Sequence, residues 1–281
     1  MDIKKVKLEF EKVDGALFKP SKFKDSPALL YQENSKLTQK DFRLLGYSVS
    51  GFNNPFIHER ASQPYKVYNG SKIFSLDEYK KYPPPEINFF KCIGNRRSVR
   101  DYKDYKISLN ELFLILHYSY GISGWAKISN ADGHWSYRNV PSGGGLYPLE
   151  IYIVIYNAQI PSGIYHYRPD INALEYIKEG DFLPELRITA SAEPIVNIKK
   201  SSCTIIVTSI FGRTMIKYGE RGYRFIMLEI GFVSENISLI CDGLGLGSCM
   251  AGGYLDNEIN DMLEIDGTFE TVQNVIIVGK K

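Results

Sequence analysis

Lys217-Tyr218-Gly219-Glu220-Arg221-Gly222-Tyr223-Arg224-Phe225 sets an ε-amine beside a phenol, with two glycines and two arginines in the next six positions. Either group moves a proton at neutral pH once its pKa is depressed, so the pair is a candidate for acid–base chemistry. A Lys-Tyr dipeptide is far more often a surface lysine next to a packing tyrosine. What surrounds it therefore decides between the two.

Three other segments carry chemistry-bearing patterns. Arg96-Arg97-Ser98-Val99-Arg100 offers three guanidinium forks and a hydroxyl within five positions, a donor set suited to phosphate. Taken alone, the run reads more readily as a solvated basic loop. Pro141-Ser142-Gly143-Gly144-Gly145-Leu146-Tyr147-Pro148-Leu149-Glu150 places three glycines just ahead of an apolar run, where backbone can approach a flat ligand or simply turn. Leu244 to Tyr254 crowds glycines into what reads as a loop after a long helix, with backbone N–H groups free for a ligand or a helix cap.

The bulk properties exclude several classes. The 281 residues carry 34 basic and 32 acidic side chains, a formal net charge of +2. No global field favours nucleic acid or an anionic membrane, and no apolar run approaches the length of a membrane span. Four cysteines (Cys92, Cys203, Cys241, Cys249) form no C-x-x-C pair, and the four histidines lack metal-ligand spacing, so no metal site is expected. The opening Met1-Asp2-Ile3-Lys4-Lys5 is not a basic-then-apolar signal, and the expected location is cytoplasmic, with free thiols.

The elements that must position these groups follow from periodicity. Ser108-Leu109-Asn110-Glu111 is a capping box opening a buried helix to Ile122. Glu150–Tyr156, Cys203–Thr208 and Val272–Val278 read as strands, and Gly163–Tyr167 with Ala173–Ile177 as a hairpin. Gly222–Leu244 carries apolar residues at helical spacing and ends among glycines. Hairpins mixed with long helices predict an α+β fold rather than a βαβ series, and no G-x-G-x-x-G follows a strand. Residues 1–90 read as irregular up to Tyr82-Pro83-Pro84-Pro85, an accessory segment or wrap ahead of a main domain over 91–281.

The order and intervals of Arg96–Arg100, Pro141–Glu150, Lys217–Phe225 and Gly245–Gly253 resemble the SagB/McbC-type azoline dehydrogenases, a branch of the FMN-dependent nitroreductase superfamily. The resemblance covers about residues 92–281. The arginine motif marks only the superfamily, whereas P-S-G-G-G-L-Y-P-L-E and K-Y-G-x-R-G-Y-R-F are specific to the branch. It implies a nitroreductase-like fold with a central mixed or antiparallel sheet flanked by helices, working as an obligate homodimer. It also implies FMN as cofactor and an azoline-containing precursor peptide as substrate. A cyclodehydratase partner makes the azoline, and this enzyme would oxidise it to a thiazole or oxazole during maturation of a bacteriocin- or cytolysin-type peptide.

Carried over by residue, Arg96, Arg97, Ser98 and Arg100 would hold the phosphate and polar edge of FMN. Pro141, Ser142 and Gly143 would lie against its ring, usually across a dimer interface. Gly252 and Gly253 would face the reactive nitrogen, and Lys280 the phosphate. Lys217 and Tyr218 would be catalytic, with Tyr218 taking the α-carbon proton as phenolate or through Lys217. The chain departs from the branch at Phe232, where a His is frequent, and at Glu235, where a Gln is frequent. The rival readings are an NAD(P)H-dependent nitroreductase or quinone reductase, and a non-catalytic scaffold within a peptide-modifying complex.

Overall fold

The computed structural model describes residues 26–52, 54–128, 133–190 and 193–281, so the opening charged run lies outside the described residues. The chain divides into two compact units, residues 1–47 and 48–281. The described part of the first holds helix α1 (Pro27–Asn34) and the beginning of α2 (Gln39–Gly51). Everything below concerns the second unit.

That unit continues with α3 (Pro55–Ala61), β1 (Lys72–Ser75), α4 (Phe89–Asn95) and α5 (Leu109–Tyr120). A small hairpin, β2 (Ile122–Lys127) with β3 (His134–Arg138), precedes β4 (Leu149–Ile155), β5 (Gly163–Arg168) and β6 (Ala173–Glu179). Then come α6 (Leu183–Thr189), β7 (Cys203–Ile210), α7 (Gly212–Tyr218) and α8 (Glu220–Gly243). The chain ends with β8 (Leu246–Ala251), α9 (Asp256–Leu263) and β9 (Glu270–Lys280). The main sheet runs β1-β6-β5-β4-β7-β9-β8, and every strand pair in it is antiparallel. The α+β expectation is met, with the sheet antiparallel throughout.

Strand alternation builds the layers. Ile151, Ile153, Ile205, Val207 and Ile276 face one side of the sheet, packed with α5 and α8, while Tyr152, Val154, Ile206 and Ile277 face the other, with α6 and α9. All seven residues of β4 are buried, because helices cover both its faces. Each fully buried Ile or Val there contributes roughly 1.5–3 kcal/mol. The predicted capping box is formed: Ser108 Oγ accepts from Glu111 N–H and Glu111 reaches back to Ser108 N–H. Leu112 to Leu116 are all buried, so this helix is apolar nearly all round because it is central.

Two expectations change. The described residues before 91 are not irregular throughout: α3 forms there, and β1 extends the main sheet by pairing with β6, register Phe74↔Leu174. The glycine-rich stretch after the long helix is not a loop over Leu246–Ala251 but the edge strand β8. Gly247 stands in this strand because Val99 packs where a Cβ would sit, only 2.6 Å from its Cβ. The backbone of Val99 donates to Ser248 O at 2.9 Å, which ties the arginine segment alongside β8.

A buried polar cluster crosses the sheet between β4, β5, β6 and α7. His166 lies between Glu150 and Glu175, 2.8 Å from each, and Arg213 closes on Glu150 at 2.5 Å. Burial opposes the charge on Glu150, but the Arg213 guanidinium and His166 hold its carboxyl down at about 2. Arg213 also donates to Tyr147 O at 3.3 Å, so the cluster anchors the start of α7 to the end of the glycine loop.

Candidate active site

The glycine-rich loop and the Lys-Tyr pair meet. Residues Gly143–Gly145 form one 3-10 turn, with Gly144 at φ 70° and Gly145 at φ 67°. A Cβ on Gly144 would collide with Tyr218 Oη and stand 3.1 Å from Lys217 Nζ, so the turn rests directly on both functional groups. Gly143 lies as closely on Phe225, whose ring packs edge-on against Tyr218 at 5.1 Å. The motif's own glycines explain the approach. Gly219 (φ 53°) reverses the chain between α7 and α8, and Gly222 lets α8 pass within 3.1 Å of Met215 Cα, measured from where its Cβ would be.

Burial acts oppositely on the two groups. Lys217 is half-buried over the Phe52 ring, 4.9 Å from its centroid, and makes no ion pair among the described residues. Desolvation without a compensating carboxylate pulls its pKa below the ordinary lysine value. The same desolvation raises the Tyr218 phenol above its usual value. The expected depression is therefore present in Lys217 and absent in Tyr218. Burial thus favours the protonated phenol and moves the amine toward its neutral, proton-accepting form.

Gly144→Ala should abolish whatever the pair does. The substitution forces an L-residue into left-handed backbone, at about 1–2 kcal/mol, and drives a methyl into Tyr218 Oη. Circular dichroism should show a folded protein with a slightly lowered melting temperature, and turnover at native rate would contradict this packing.

Behind the loop, α8 supplies a residue that the sequence did not single out. Glu229 is buried, accepts from Tyr120 Oη at 2.9 Å and shares a hydrogen bond with Ser142. Tyr120 Oη in turn accepts from Leu149 N–H at 3.2 Å, and Ser142 Oγ from Tyr147 N–H at 2.9 Å. One carboxyl thus ties both ends of the Pro141–Leu149 turn to the long helix. Desolvation raises the Glu229 pKa to about 7.

The phosphate-type candidates form a second group, strung along β8. Ser98 bridges Ser248 in parallel, and Leu246 pairs with Lys280, so Arg96 and Lys280 stand near the beginning of β8. Arg100 joins Gly252 and Gly253 at its end, in a cavity of 300 Å³ with Cys249 in its wall. The two ends are about six residues, roughly 20 Å, apart. A Cβ on Gly252 or Gly253 would meet nothing within 4 Å. Arg96 approaches Glu235 at 3.5 Å, whereas Arg97 and Arg100 bond only backbone carbonyls and Lys280 lies over the Tyr105 ring. Three cations without a carboxylate among the described residues, along a strand ending in open glycines, fit an elongated ligand with an anionic end. Within one chain, no hydrogen bond, ion pair or ring contact among the described residues joins this group to Lys217 and Tyr218.

No cluster of His, Cys, Asp and Glu among the described residues is arranged to hold a metal ion, and no helix there is long and apolar enough to cross a membrane. All four cysteines are free and buried.

Comparison with known proteins fits this geometry. The chain is 32% identical over 181 residues to the "Putative nitroreductase MJ1384" of Methanocaldococcus jannaschii, covering 64% of this chain and 86% of that protein. It is 30% identical over 134 residues to the microcin B17-processing protein McbC of Escherichia coli, covering 46% of this chain and 49% of McbC, so it spans about half of that relative. Its fold matches a chain of the Escherichia coli microcin synthetase McbBCD complex, solved with truncated pro-MccB17 bound, at TM-score 0.54 and 20% identity, over 88% of this chain and 98% of that one. The sequence profile of the Nitroreductase family matches residues 93–280, which include every candidate residue named above, and the chain belongs to that family.

Proposed function

We propose that this protein is an FMN-dependent dehydrogenase that oxidises azoline rings in a ribosomally made peptide to thiazoles or oxazoles. The observation that carries the reading is the amine of Lys217, desolvated, without an acidic partner among the described residues, and pressed with Tyr218 against Gly144. A reductase that only passes electrons from a nicotinamide to a flavin has no use for such a base. Aromatising an azoline does, because a carbon-bound proton must leave.

When bound along β8, FMN would supply the two-electron acceptor that takes the second hydrogen. Arg96, Arg97, Ser98, Arg100 and Lys280 would hold it, with Gly252 and Gly253 giving the ring open backbone. Lys217 takes the α-carbon proton as a free amine, a form that its desolvation makes more accessible than in an ordinary lysine. Tyr218 keeps its proton and donates a hydrogen bond that orients the ring. Pro141, Ser142 and Gly143 close over the reacting face and exclude water.

The active unit in this reading is a homodimer. Leu228 and Phe232 are 57% and 41% exposed on one stripe of α8, an apolar face suited to a second copy, which would bring the Lys217 group of one chain to the β8 group of the other. Similarity to McbC, a microcin B17-processing protein, supports a precursor peptide as substrate, and the resemblance to the azoline dehydrogenases implies a cyclodehydratase as partner. The domain over 91–281 holds all of the proposed chemistry.

An absorption spectrum before and after anaerobic NADH tests the assignment. A bound flavin that NADH barely bleaches, but that an azoline peptide reduces, is the expected result. Rapid bleaching by NADH alone moves the nitroreductase reading to the front. Failure to bind FMN at all leaves only the scaffold.

A further inference from the structure

A second cavity, of 390 Å³, adjoins the segments that carry Lys217. Its walls come from the segments that build the Lys-Tyr pair. Phe52, which carries the Lys217 ammonium on its ring, is one wall. Ile216, the residue before Lys217, is another, and Leu146 follows the turn that rests on Tyr218. Helix α3 completes it with Phe56 and Ile57. Anything that reaches Lys217 Nζ therefore has this cavity as its neighbour.

The lining selects for apolar chemistry. Two arginines border it, but Arg213 is committed to Glu150 and to the carbonyls of Pro64 and Tyr147, and Arg60 donates to Gln63 O at 2.7 Å. No carboxylate among the described residues lines the cavity. A cation entering it would lose its water and find no carboxylate among the described lining residues, and an anion would find only Arg60, exposed at the rim, whereas an aliphatic or aromatic group loses nothing. Phe56 and Ile216 are 81% and 65% exposed at the rim, apolar surface that such a group would cover. The volume lies at the small end of ligand pockets and has room for one large side chain.

We infer that this cavity seats one uncharged apolar side chain of the substrate peptide, flanking the ring that is oxidised. The inference rests on the azoline-peptide reading and adds a sequence preference that the catalytic pair alone does not impose. Gly212 provides the test. It lines the cavity, sits in ordinary helical backbone at the start of α7, and a Cβ there meets nothing within 4 Å. A leucine at 212 would fill the cavity without touching Lys217 or Tyr218.

The experiment is fluorescence anisotropy with two dye-labelled thiazole peptides, identical except that the ring is flanked on both sides by Phe in one and by Gly in the other. Wild-type protein should bind the Phe peptide about tenfold more tightly or better, the usual discrimination of an apolar pocket. Gly212→Leu should remove that advantage and leave the Gly peptide's affinity unchanged. Ile216→Glu, altered at an exposed position of the rim, should do the same and guards against misfolding of the first variant. Equal affinities in the wild type, or a preference that survives both substitutions, would overturn the assignment. No binding of either peptide sinks it together with the peptide reading. A Phe preference without any oxidation of the matching azoline peptide would keep the cavity and refute the dehydrogenase.

Discussion

Replacing Lys217 with alanine should slow azole formation by about 10²- to 10⁴-fold, the range a positioned general base supplies, while the protein stays folded. Its amine makes no ion pair among the described residues, so nothing charged is left stranded when it goes. Wild-type rate should rise with pH through one ionisation below the ordinary lysine value of 10.5, because the amine works only after losing its proton. Lys217→Arg keeps the charge but not the base, and should not rescue activity. Tyr218→Phe should lose less than Lys217→Ala, since burial keeps the phenol protonated and leaves it a donor's part. Rates on an azoline peptide across pH, for these variants and wild type, decide it. A native rate in Lys217→Ala would place the base elsewhere. A pH limb unchanged in that variant would assign the ionisation to another group.

What the sequence disclosed and what it hid divide along sequence separation. The capping box at Ser108–Glu111, the β5–β6 hairpin and the long helix α8 are set by neighbours within a few residues, and each formed where its pattern placed it. Strand β8 was hidden because Gly245 and Gly247 speak locally for a loop, and only the close packing of Val99 makes glycine the strand residue there. The cluster of Glu150, His166, Glu175 and Arg213 draws on four elements, so no local spacing announces it. In the candidate pair Lys217 and Tyr218, the sequence showed which residues to consider and not the direction of their pKa shifts. Adjacency left two routes open, a Tyr218 phenolate or a proton taken through Lys217. Desolvation, which depends on Phe52 and the folded loop, lowers the amine and raises the phenol.

Glu229 was invisible for the same reason, as one glutamate in an amphipathic helix, and it yields a large stability effect tied to pH. In the folded protein its pKa is raised from 4.5 to about 7, chiefly by burial. A carboxyl whose folded pKa is raised favours the folded state while protonated. That contribution is full below about pH 4.5, declines as the unfolded chain ionises first, and is gone above about pH 7. The span is worth about 3 kcal/mol. Glu229→Gln holds the neutral form at every pH and can still accept from Tyr120. The stability difference between variant and wild type should therefore move by about 3 kcal/mol in the variant's favour from about pH 4.5 to about pH 7.5, read by urea unfolding at each pH. Comparing two proteins at each pH cancels the titration of Glu150 and His166, which both retain. The same ionisation should loosen the wild-type glycine turn above neutrality, because Ser142 and Tyr120 then share a buried charge. Trp135 Nε1 lies only 2.6 Å from where a Gly145 Cβ would be, so its fluorescence should report the loosening in wild type and not in Glu229→Gln. Parallel stability curves for the two proteins would mean that Glu229 stays ionised in the fold, and the turn would then be held by a charge instead of a neutral carboxyl.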